Sequence, residues 1–565
     1  MMLIKKMLSV LLIFSLVFGL CFYAAAEGTD PVPAITGKDV KLYTDGAETV
    51  RDYKVYFIDG GNVPYVPVED VGLFLEITDK AGTKPEYKAE GDHAIYSRGA
   101  YSMDLDFAND TITFNDFDAF FKLERLGLVD MVMGPESTYA LFERSSKSTD
   151  RYGKVLLMDL KPYGIHLVKT DEGRFLPLQT VSDVVCNYSE CPLYFSGDAV
   201  VASEGLNDEE RAILLAGQWQ WTEDLADFSY RELCFVLDYQ YGLKEIHGIE
   251  NFDTLFVETG LKKEFLSSDS TDADKALWQL IYFYLGDLHS QFTNLSVLSD
   301  RDAFTDYIVG AGQGLAASHR NDAIAEFEAA RNQAYPDGIP AYEEIGDTAY
   351  ITFDGFIDPK NEMDYLAPVT EADNSGNDTI RLIQYACSRI LREGSPIKNV
   401  VLDLSDNGGG ATVAAQYVMS AFLGEADFST RDTMTGAMSD AVYRADTNLD
   451  GAFDEKDSFA ENGLKLFCLA SPISFSCGNL VPCAFKASNK VTMLGQVSGG
   501  GSCSIHCFST AYGTGFQISG YRHFSVMKNG SFYDVDTGAE PHFYIADPAK
   551  YYDRAALTEF IHGIY

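Results

Sequence analysis

Three serines and one cysteine lie close together in the segment SPISFSCGN, residues 471–479. The segment follows the apolar run KLFCLA, which predicts a strand, and leads into SCGNLVPCAFKAS, which predicts a helix. A hydroxyl at such a junction faces the N-terminus of a helix, where the positive end of the helix dipole stabilises developing negative charge. The pattern therefore favours a nucleophilic serine, and the alternative is a serine that only caps the helix.

A glycine-rich loop ends a second predicted strand. The run KNVVLDLSDNGGG places Asn407, Gly408, Gly409 and Gly410 directly after a nearly continuous apolar stretch. Glycines can adopt positive φ and so turn backbone N–H groups toward one point. The loop is therefore a second candidate for chemistry, and a turn needed only for tight packing is the alternative.

Alternating strands and helices are the elements that must position these two junctions. From about Thr348, the runs AYITFDGF, KNVVLDL, KLFCLA and KVTMLG predict strands, and the runs between them predict helices. One helix begins near Asp378 and ends at Gly394. This repetition predicts an α/β fold with a mainly parallel sheet covered by helices. In such a sheet, chemistry collects where strands end and helices begin.

The ordered set VVLDLSDNGGG, SFSCGN, VTMLGQVSGGGS and DVDTGAEPHFYI resembles the core of the tail-specific (C-terminal processing) serine peptidases. The resemblance covers about residues 346–545 and the helical region before them. It implies a ClpP/crotonase-like spiral core with a helical subdomain in front. By position it implies that Ser476 is the nucleophile and that Ser471 and Ser474 are structural. It also implies an oxyanion hole formed by backbone N–H groups of Cys477 and of Gly409 or its neighbour Gly408.

The general base departs from the pattern of the Ser/Lys members of that family. The segment GQVSGGGS, residues 495–502, has no lysine, and Lys486 and Lys490 are expected to be solvated. The chain is also too short between residues 289 and 348 for the family's usual PDZ domain. The tricorn-like branch of the family uses histidine, and YLGDLHSQF resembles its Gly-Asp-x-His segment. The resemblance therefore makes His289 the candidate base.

Other assignments of base and acid remain open at the sequence level. A histidine with a structural role is the alternative for His289, and the rival bases are His506, His523 and His542. An acid should orient the imidazole and stabilise its cation. The motif DVDTGAEP makes Asp536 the first candidate and Glu540 the second, whereas Asp287 is expected to support the loop of His289.

The segment DTNLDGAFDEKD, residues 446–457, has the spacing of a calcium-binding loop of EF-hand or dockerin type. The predicted calcium ligands are the side chains of Asp446, Asn448, Asp450 and Asp457 and the backbone carbonyl of Ala452. Gly451 would supply the sharp turn. We expect a structural ion and no cofactor for catalysis. A solvated acidic loop is the alternative.

The N-terminus predicts a location outside the cytoplasm. Lys5 and Lys6 precede an apolar run and the small residues Ala24 to Ala26, which is the layout of a secretory signal peptide, and an uncleaved anchor is the alternative. Disulfides could then form within the pairs Cys186/Cys191 or Cys503/Cys507. The net charge of −41 argues against nucleic acid as a partner.

The sequence predicts four regions: a signal peptide (1–26), a β-rich stalk or binding domain (27–205), a helical subdomain (206–345) and a peptidase core (346–565) that contains the calcium loop. The segments YVPVEDVGLFLE and FLPLQTVSDVV in the second region resemble the copper amine oxidase N-terminal domain, without implying copper. We predict a secreted serine endopeptidase that acts on polypeptides, with cell-wall or membrane-surface association as a further expectation. The alternative is an inactive homologue that binds peptides or cell-wall material.

Overall fold

A computed structural model describes residues 33–78, 84–122 and 135–564. The predicted signal peptide, residues 1–26, lies outside the described residues. None of the described helices combines the length and the apolar composition that crossing a bilayer requires.

The N-terminal region consists of short strands and a few short helices. Its strands are β1 (Ile35–Thr44), β2 (Thr49–Ile58), β3 (Tyr65–Pro67), β4 (Glu86–Glu90), β5 (His93–Arg98), β6 (Tyr101–Asp106), β7 (Thr111–Phe114), β8 (Phe142–Arg144), β9 (Thr149–Arg151), β10 (Leu156–Asp159), β11 (Val168–Thr170), β12 (Gly173–Pro177), β13 (Leu193–Phe195) and β14 (Ala199–Ala202). Its helices are α1 (Val71–Thr78), α2 (Phe117–Lys122), α3 (Glu136–Tyr139) and α4 (Leu178–Val181). The strands form a seven-stranded sheet in the order β11-β12-β3-β2-β1-β14-β13 and a five-stranded sheet in the order β10-β7-β6-β5-β4.

The two segments that echo each other in the sequence are neighbours in this region. Strand β3 leads to α1, and strand β12 leads to α4. The two strands pair in antiparallel fashion, with Leu176 opposite Val66 and Pro177 opposite Tyr65. The repeated pattern therefore corresponds to two similar strand-and-helix units that share one sheet.

A mainly helical region follows. Its helices are α5 (Asp208–Leu215), α6 (Glu223–Gln240), α7 (Phe252–Thr259), α8 (Leu261–Phe265), α9 (Ser270–Gln279), α10 (Arg301–Ala311) and α11 (Leu315–Ala334), and its one described strand is β15 (Gln291–Asn294). Helix α6 is buried on most of its surface, including all residues from Glu232 to Leu237, and its apolar side chains belong to the same hydrophobic core as the N-terminal sheets. A turn of π-helix, Leu280–Leu285, leads into the loop that carries His289.

The core of the C-terminal region is a six-stranded sheet in the order β16-β17-β18-β21-β22-β27. Its strands are β16 (Tyr342–Ile345), β17 (Thr348–Thr352), β18 (Asn399–Asp403), β21 (Lys465–Ala470), β22 (Val491–Gly495) and β27 (Phe543–Tyr544), and all pairs from β17 to β27 are parallel. The remaining strands are β19 (Ala426–Asp432), β20 (Met438–Ala445), β23 (Cys503–Ser509), β24 (Gly515–Ser525), β25 (Met527–Lys528) and β26 (Ser531–Phe532). The helices are α12 (Thr379–Ile390), α13 (Thr412–Leu423), α14 (Cys477–Ser488), α15 (Ala549–Tyr552) and α16 (Arg554–His562).

The regular elements of this core follow the sequence patterns closely. Asp378 caps α12 by accepting a hydrogen bond from the N–H of Arg381. Strand β21 covers the whole KLFCLA run and is almost entirely buried, as the apolar composition predicts. The α/β fold class, with a helical region ahead of the core and a β-rich N-terminal region, is confirmed.

The N-terminal and C-terminal regions also share structure. A further sheet has the order β15-β24-β19-β20-β8, with β9 paired to β20 and β23 paired to β24. Strands β8 and β9 thus come from inside the predicted 27–205 domain. Phe508, Phe516 and Tyr521 of the β23–β24 hairpin lie in the same hydrophobic core as the N-terminal sheets and helices α6 to α9.

The cysteine pairs suggested by the sequence do not form disulfides. Cys186 is a free buried thiol, so it is not bonded to Cys191. Cys503 and Cys507 are also free thiols. Burial raises the pKa of the Cys507 thiol to about 11, so it stays protonated at neutral pH.

Candidate active site

Ser476 occupies a strained turn between β21 and α14. Its backbone has φ +56° and ψ −123°, outside the regions that non-glycine residues normally adopt. Its N–H donates to the carbonyl oxygen of Gly500 at 2.9 Å, which holds the turn in place. The side chain is half-buried and lines a cavity. This geometry presents a hydroxyl at a helix N-terminus, as expected for a nucleophile on a strand–turn–helix unit.

The other two serines of the segment are buried and make internal hydrogen bonds. The hydroxyl of Ser471 donates to the carbonyl oxygen of Ser405 at 2.5 Å. The hydroxyl of Ser474 donates to the carbonyl oxygen of Leu404 at 2.7 Å and accepts from the N–H of Ser471 at 2.9 Å. Both side chains therefore fasten the turn to the end of β18. Burial raises the pKa of the neighbouring Cys477 thiol to about 12, so this sulfur stays protonated.

The glycine loop packs directly against the serine turn. Gly409 has φ +109°, and a Cβ added there would lie 2.7 Å from the Cβ of Ser476. Only glycine fits this position without displacing the serine. Asn407 fastens the loop, because its side-chain NH₂ donates to the carbonyl oxygen of Phe353 at 3.0 Å and its backbone carbonyl accepts from the N–H of Phe475 at 3.1 Å.

The predicted oxyanion donors differ in how their N–H groups are engaged. The N–H of Gly408 donates to the carbonyl oxygen of Asp354 at 3.1 Å, and that of Gly409 donates to Oδ1 of Asn407 at 2.9 Å. For the N–H of Cys477 we find no acceptor among the described residues. The same holds for the N–H of Gly410, which lines the cavity with Ser476 and Cys477.

The cavity beside Ser476 has a volume of about 260 Å³. Its walls come from three parts of the chain, namely the N-terminal region, the loop before β15, and the core with its β23–β24 hairpin. The lining residues that bear on chemistry are Glu190, His289, Gly410, Ser476, His506 and Arg522. Two histidines and no lysine are among the described residues of this lining.

His289 is buried against the serine turn. Its ring lies edge-on to the ring of Phe475, with 4.7 Å between centroids. Burial lowers the pKa of His289, the charges of Asp287 and Asp536 oppose that shift, and Arg320 adds to it. Its Nδ1 is buried and has no hydrogen-bond partner among the described residues. A neutral imidazole in this cavity can accept a proton from a hydroxyl.

The rival histidines have other surroundings. His506 lines the same cavity, but burial together with the charge of Arg522 lowers its pKa to about 3, and its Nδ1 pairs with Oδ1 of Asn187 at 3.2 Å. His523 pairs through Nε2 with the carbonyl oxygen of Gly242 at 2.9 Å and lies outside this lining. Nδ1 of His542 accepts from the N–H of Met493 at 2.9 Å.

The charges of two carboxylates, Asp287 and Asp536, oppose the lowering of the His289 pKa by burial and so favour its protonated form. Oδ1 of Asp536 accepts from the N–H groups of Gly501 and Ser502 and from the Ser502 hydroxyl, each at 3.2 Å. Asp287 accepts four hydrogen bonds, from Tyr241, Ser519 and the N–H and hydroxyl of Ser290. Both carboxylate oxygens of Asp287 therefore already accept hydrogen bonds that stabilise its loop. Oδ2 of Asp536, in contrast, accepts no hydrogen bond from a described residue.

Glu540 and the two lysines lie away from the cavity. Glu540 is exposed, and its backbone carbonyl accepts from Nζ of Lys486 at 2.7 Å. Nζ of Lys490 donates to the carbonyl oxygen of Leu423 at 2.7 Å. Neither lysine can serve Ser476 from these positions.

The predicted calcium loop, residues 446–457, is compact and internally hydrogen-bonded. Asp446 accepts from the N–H groups of Leu449 and Gly451, at 2.7 and 2.9 Å. Oδ1 of Asn448 accepts from the N–H of Asp450, and Oδ1 of Asp450 from that of Ala452. Asp457 accepts from the N–H of Thr447 at 2.8 Å. Across the described residues, no group of three or more His, Cys, Asp or Glu is arranged to hold a metal ion.

Several residues of the site gave no clear signal in the sequence. Glu190 follows a run of helical turns, residues 178–189, and reaches the cavity only through the tertiary fold. Arg320 lies within a polar helix that has no motif of its own. Gly410 and Asn407 belong to a glycine loop that the sequence pattern did predict. The pattern did not show that Asn407 anchors the loop while Gly410 lines the cavity.

The α/β core with its serine turn can be compared with known proteins. Residues 347–544 match the model of peptidase family S41. This part of the chain, which carries Ser476 and the glycine loop, is therefore similar to the tail-specific serine peptidases of that family. The family resemblance derived from the four sequence motifs is confirmed.

Similarity to individual proteins is low. The photosystem II D1 C-terminal processing protease is 17% identical over 36% of this chain and 42% of its own, with a TM-score of 0.25. A putative peptidase from Parabacteroides merdae is 15% identical over 56% of this chain and 89% of its own, with a TM-score of 0.37. The tricorn protease is 11% identical over 94% of this chain and 59% of its own, with a TM-score of 0.30. No curated protein matches the chain.

Proposed function

We propose that the protein is a secreted serine endopeptidase that hydrolyses peptide bonds through an acyl-enzyme at Ser476. The observation that carries this proposal is the strained turn of Ser476 beside His289 in one cavity. Strain of this kind is retained where function requires it, because it costs roughly 1–3 kcal/mol in stability.

His289 acts as the general base in this mechanism. The Ser476 hydroxyl attacks the substrate carbonyl carbon and passes its proton to the imidazole, which then protonates the leaving amine. Water, activated by the same imidazole, releases the acid product and restores the serine. Asp536 stabilises the imidazolium electrostatically, and its Oδ2 is the candidate acceptor for the Nδ1–H of His289.

The oxyanion forms beside backbone donors. The N–H of Cys477 at the start of α14 supplies one hydrogen bond. The N–H of Gly410 is the proposed second donor, because it has no acceptor among the described residues. The N–H groups of Gly408 and Gly409, which the sequence favoured as donors, already donate to Asp354 and Asn407. They would have to break these hydrogen bonds before they could bind an oxyanion. Loss of one such donor typically lowers kcat by about 10²- to 10³-fold.

Hydrolysis of a fluorogenic peptide library tests the proposal. Ser476→Ala should abolish hydrolysis, whereas Ser504→Ala, which removes another hydroxyl from the same cavity, should retain it. Circular dichroism would establish that both variants are folded. Equal hydrolysis by Ser476→Ala and the wild type would reject the assignment.

A second candidate function is peptide or cell-wall binding without catalysis. The observation that favours it is the Nδ1 of His289, which is buried without a partner among the described residues. A base that is not oriented by an acid is a weak one. If this candidate holds, the wild type binds peptides without cleaving them, and Ser476→Ala binds them equally well.

The proposal also includes export from the cytoplasm and a structural calcium ion. The N-terminal segment supports export, and cell-envelope association would follow if that segment were not removed. The ligand types of residues 446–457 suit Ca²⁺, and the loop lies between β20 and β21 and contributes no residue to the lining of the Ser476 cavity. The ion would stabilise this connection and take no part in the chemistry.

A further inference from the structure

A guanidinium group that forms no ion pair with any described carboxylate lies beside the serine turn. Arg320, on α11, lies over the ring of Phe475, with 5.2 Å from its central carbon to the ring centroid. Its Nη1 donates to the carbonyl oxygen of Ile473 at 3.0 Å. Within the described part of the chain, no Asp or Glu forms an ion pair with it. Its Nη2 would lie 3.5 Å from a Cβ added to Gly408, so it also borders the glycine loop.

Arg320 lines a second cavity, of about 290 Å³, which is also lined by Leu288, the chain neighbour of His289. This cavity, here called the arginine cavity, is lined among others by Leu288, His319, Arg320, Phe475, Gly501 and Asp536. It shares Gly501 with the cavity of Ser476. A peptide bound across Ser476 could therefore extend into it.

The carboxylates of the arginine cavity are already engaged by neutral donors. Asp287 accepts four hydrogen bonds from hydroxyl and N–H groups, and Oδ1 of Asp536 accepts three. Neither forms an ion pair with Arg320. Asp406 acts on Arg320 through its charge alone and is itself ion-paired with Arg331, so a direct ion-pair partner for Arg320 has to come from outside the described protein.

Another arginine on the same helix shows the contrast. Arg331 forms ion pairs with Asp354 at 2.7 Å and with Asp406 at 2.9 Å, and it fastens α11 to the core. The chain has 84 acidic residues against 43 basic ones, so carboxylate partners are abundant. A half-buried guanidinium without a direct ion pair loses hydration, and here only the more distant charge of Asp406 offsets that loss. Such groups favour bidentate contact with a carboxylate.

We propose that Arg320 binds a carboxylate of the peptide substrate and so sets a preference for acidic groups close to the scissile bond. The carboxylate is an Asp or Glu side chain of the substrate, and the free C-terminus is the other source, which the matched peptides distinguish. The stem of that residue would lie on Phe475 and Leu288. This inference rests on the proposed peptidase function and names the substrate chemistry of the same site.

Matched peptides test the preference. One pair has a free C-terminal carboxylate or a C-terminal amide, and a second pair has an internal Glu or Gln, each at increasing distance from the cleaved bond. We expect wild-type kcat/KM to be about 10- to 100-fold higher for the acidic member of one pair, the range for hydrogen bonds to a charged group. The pair that shows the difference identifies the source of the carboxylate.

Charge variants of Arg320 complete the test. Arg320→Gln should bring the acid-to-amide ratio close to one, Arg320→Lys should keep part of it, and Arg320→Glu should shift the preference to lysine in the same position. These ratios are internal to each variant, so a general loss of activity does not affect them. Equal rates for acid and amide in the wild type, or an unchanged ratio in folded Arg320→Gln, would overturn the proposal.

Binding measurements separate this inference from the proposed function. Fluorescence anisotropy with the same labelled peptides measures affinity whether or not cleavage occurs. An acid preference in binding that depends on Arg320 supports the carboxylate site even if no peptide is cleaved. Cleavage at Ser476 without any acid preference in affinity or in kcat/KM supports the peptidase and rejects the carboxylate site.

Discussion

At the residue scale, the reactivity of Ser476 depends on its backbone as much as on its hydroxyl. The positive φ places the side chain at the start of α14, and the hydrogen bonds of Ser471 and Ser474 hold the turn. The SPISFSCGN segment located this position because strand, turn and helix follow one another in sequence. It could not reveal the partner of the serine, because His289 comes from a loop almost two hundred residues earlier and reaches the cavity only in the folded chain.

Replacement of His289 tests its role as base. His289→Ala should lower kcat by about 10³-fold or more, because a serine hydroxyl without a base is a poor nucleophile. His506→Gln is the matched control, since His506 lines the same cavity. The assignment would be wrong if His506→Gln lost most of the activity and His289→Ala kept it.

The pH dependence of kcat/KM provides an independent test of the same base. Burial lowers the pKa of His289 below its ordinary value of 6.5, so the neutral, active form persists to more acidic pH. Activity should therefore fall on the acidic side of pH 6.5 as the imidazole gains a proton. A rate profile whose acidic limb lies above pH 7 would contradict this assignment.

At the element scale, the glycine loop after β18 and the serine turn after β21 form one unit. The pattern of alternating strands and helices predicted both junctions on one sheet edge, and β18 and β21 are indeed parallel neighbours. It could not predict which glycine touches the serine, because that depends on φ values and on contacts across the two strands.

Alanine at two adjacent glycines tests this packing. Gly409→Ala should lower the free energy of unfolding by about 1–3 kcal/mol, because of its positive φ and its contact with Ser476, and it should also lower kcat. Gly408→Ala is the matched control, since the added Cβ meets only the end of Arg320, at 3.5 Å. Chemical denaturation and peptide hydrolysis measure the two effects. Equal losses in both variants would contradict the assigned roles.

The predicted calcium loop is a separate element with its own test. Calcium should raise the melting temperature and protect residues 446–457 from proteolysis while kcat changes little, because the loop lies away from Ser476. The double variant Asp446→Ala with Asp450→Ala should lose the effect. Isothermal titration that shows no binding at millimolar calcium, or equal binding by the double variant, would rule the site out.

At the scale of the whole molecule, the N-terminal and C-terminal regions are joined by a common core. The β-rich and helical regions were predictable from period and composition, but their packing on the β23–β24 hairpin was not, because it depends on contacts between residues hundreds of positions apart. Gln179 illustrates this joint, since its side-chain NH₂ donates to Asp183 at 2.9 Å and to the carbonyl oxygen of Ser509 at 2.6 Å.

A buried pair of carboxyl groups makes this joint sensitive to pH. Burial raises the pKa of Asp183 and Glu232, and for Asp183 the charge of Glu232 adds to the shift. The folded state keeps a proton that the unfolded state releases near the ordinary values of 3.8 and 4.5, so stability falls as pH rises above them.

Melting temperatures between pH 5 and pH 8 test this linkage. The wild type should lose stability toward the alkaline end, and Glu232→Gln should flatten the dependence because the amide cannot lose a proton. Glu172→Gln, at an exposed position, is the control and should keep the wild-type slope. A slope in Glu232→Gln that equals the wild-type slope would contradict the assignment.

The most direct test of the central claim is covalent labelling of the protein with a fluorophosphonate, followed by peptide mapping. We predict a single modified peptide that carries the adduct on Ser476, absent in Ser476→Ala, and a much slower reaction in His289→Ala. Absence of any adduct on the folded wild type, or an adduct on Ser474 or Ser504 instead, would contradict the account.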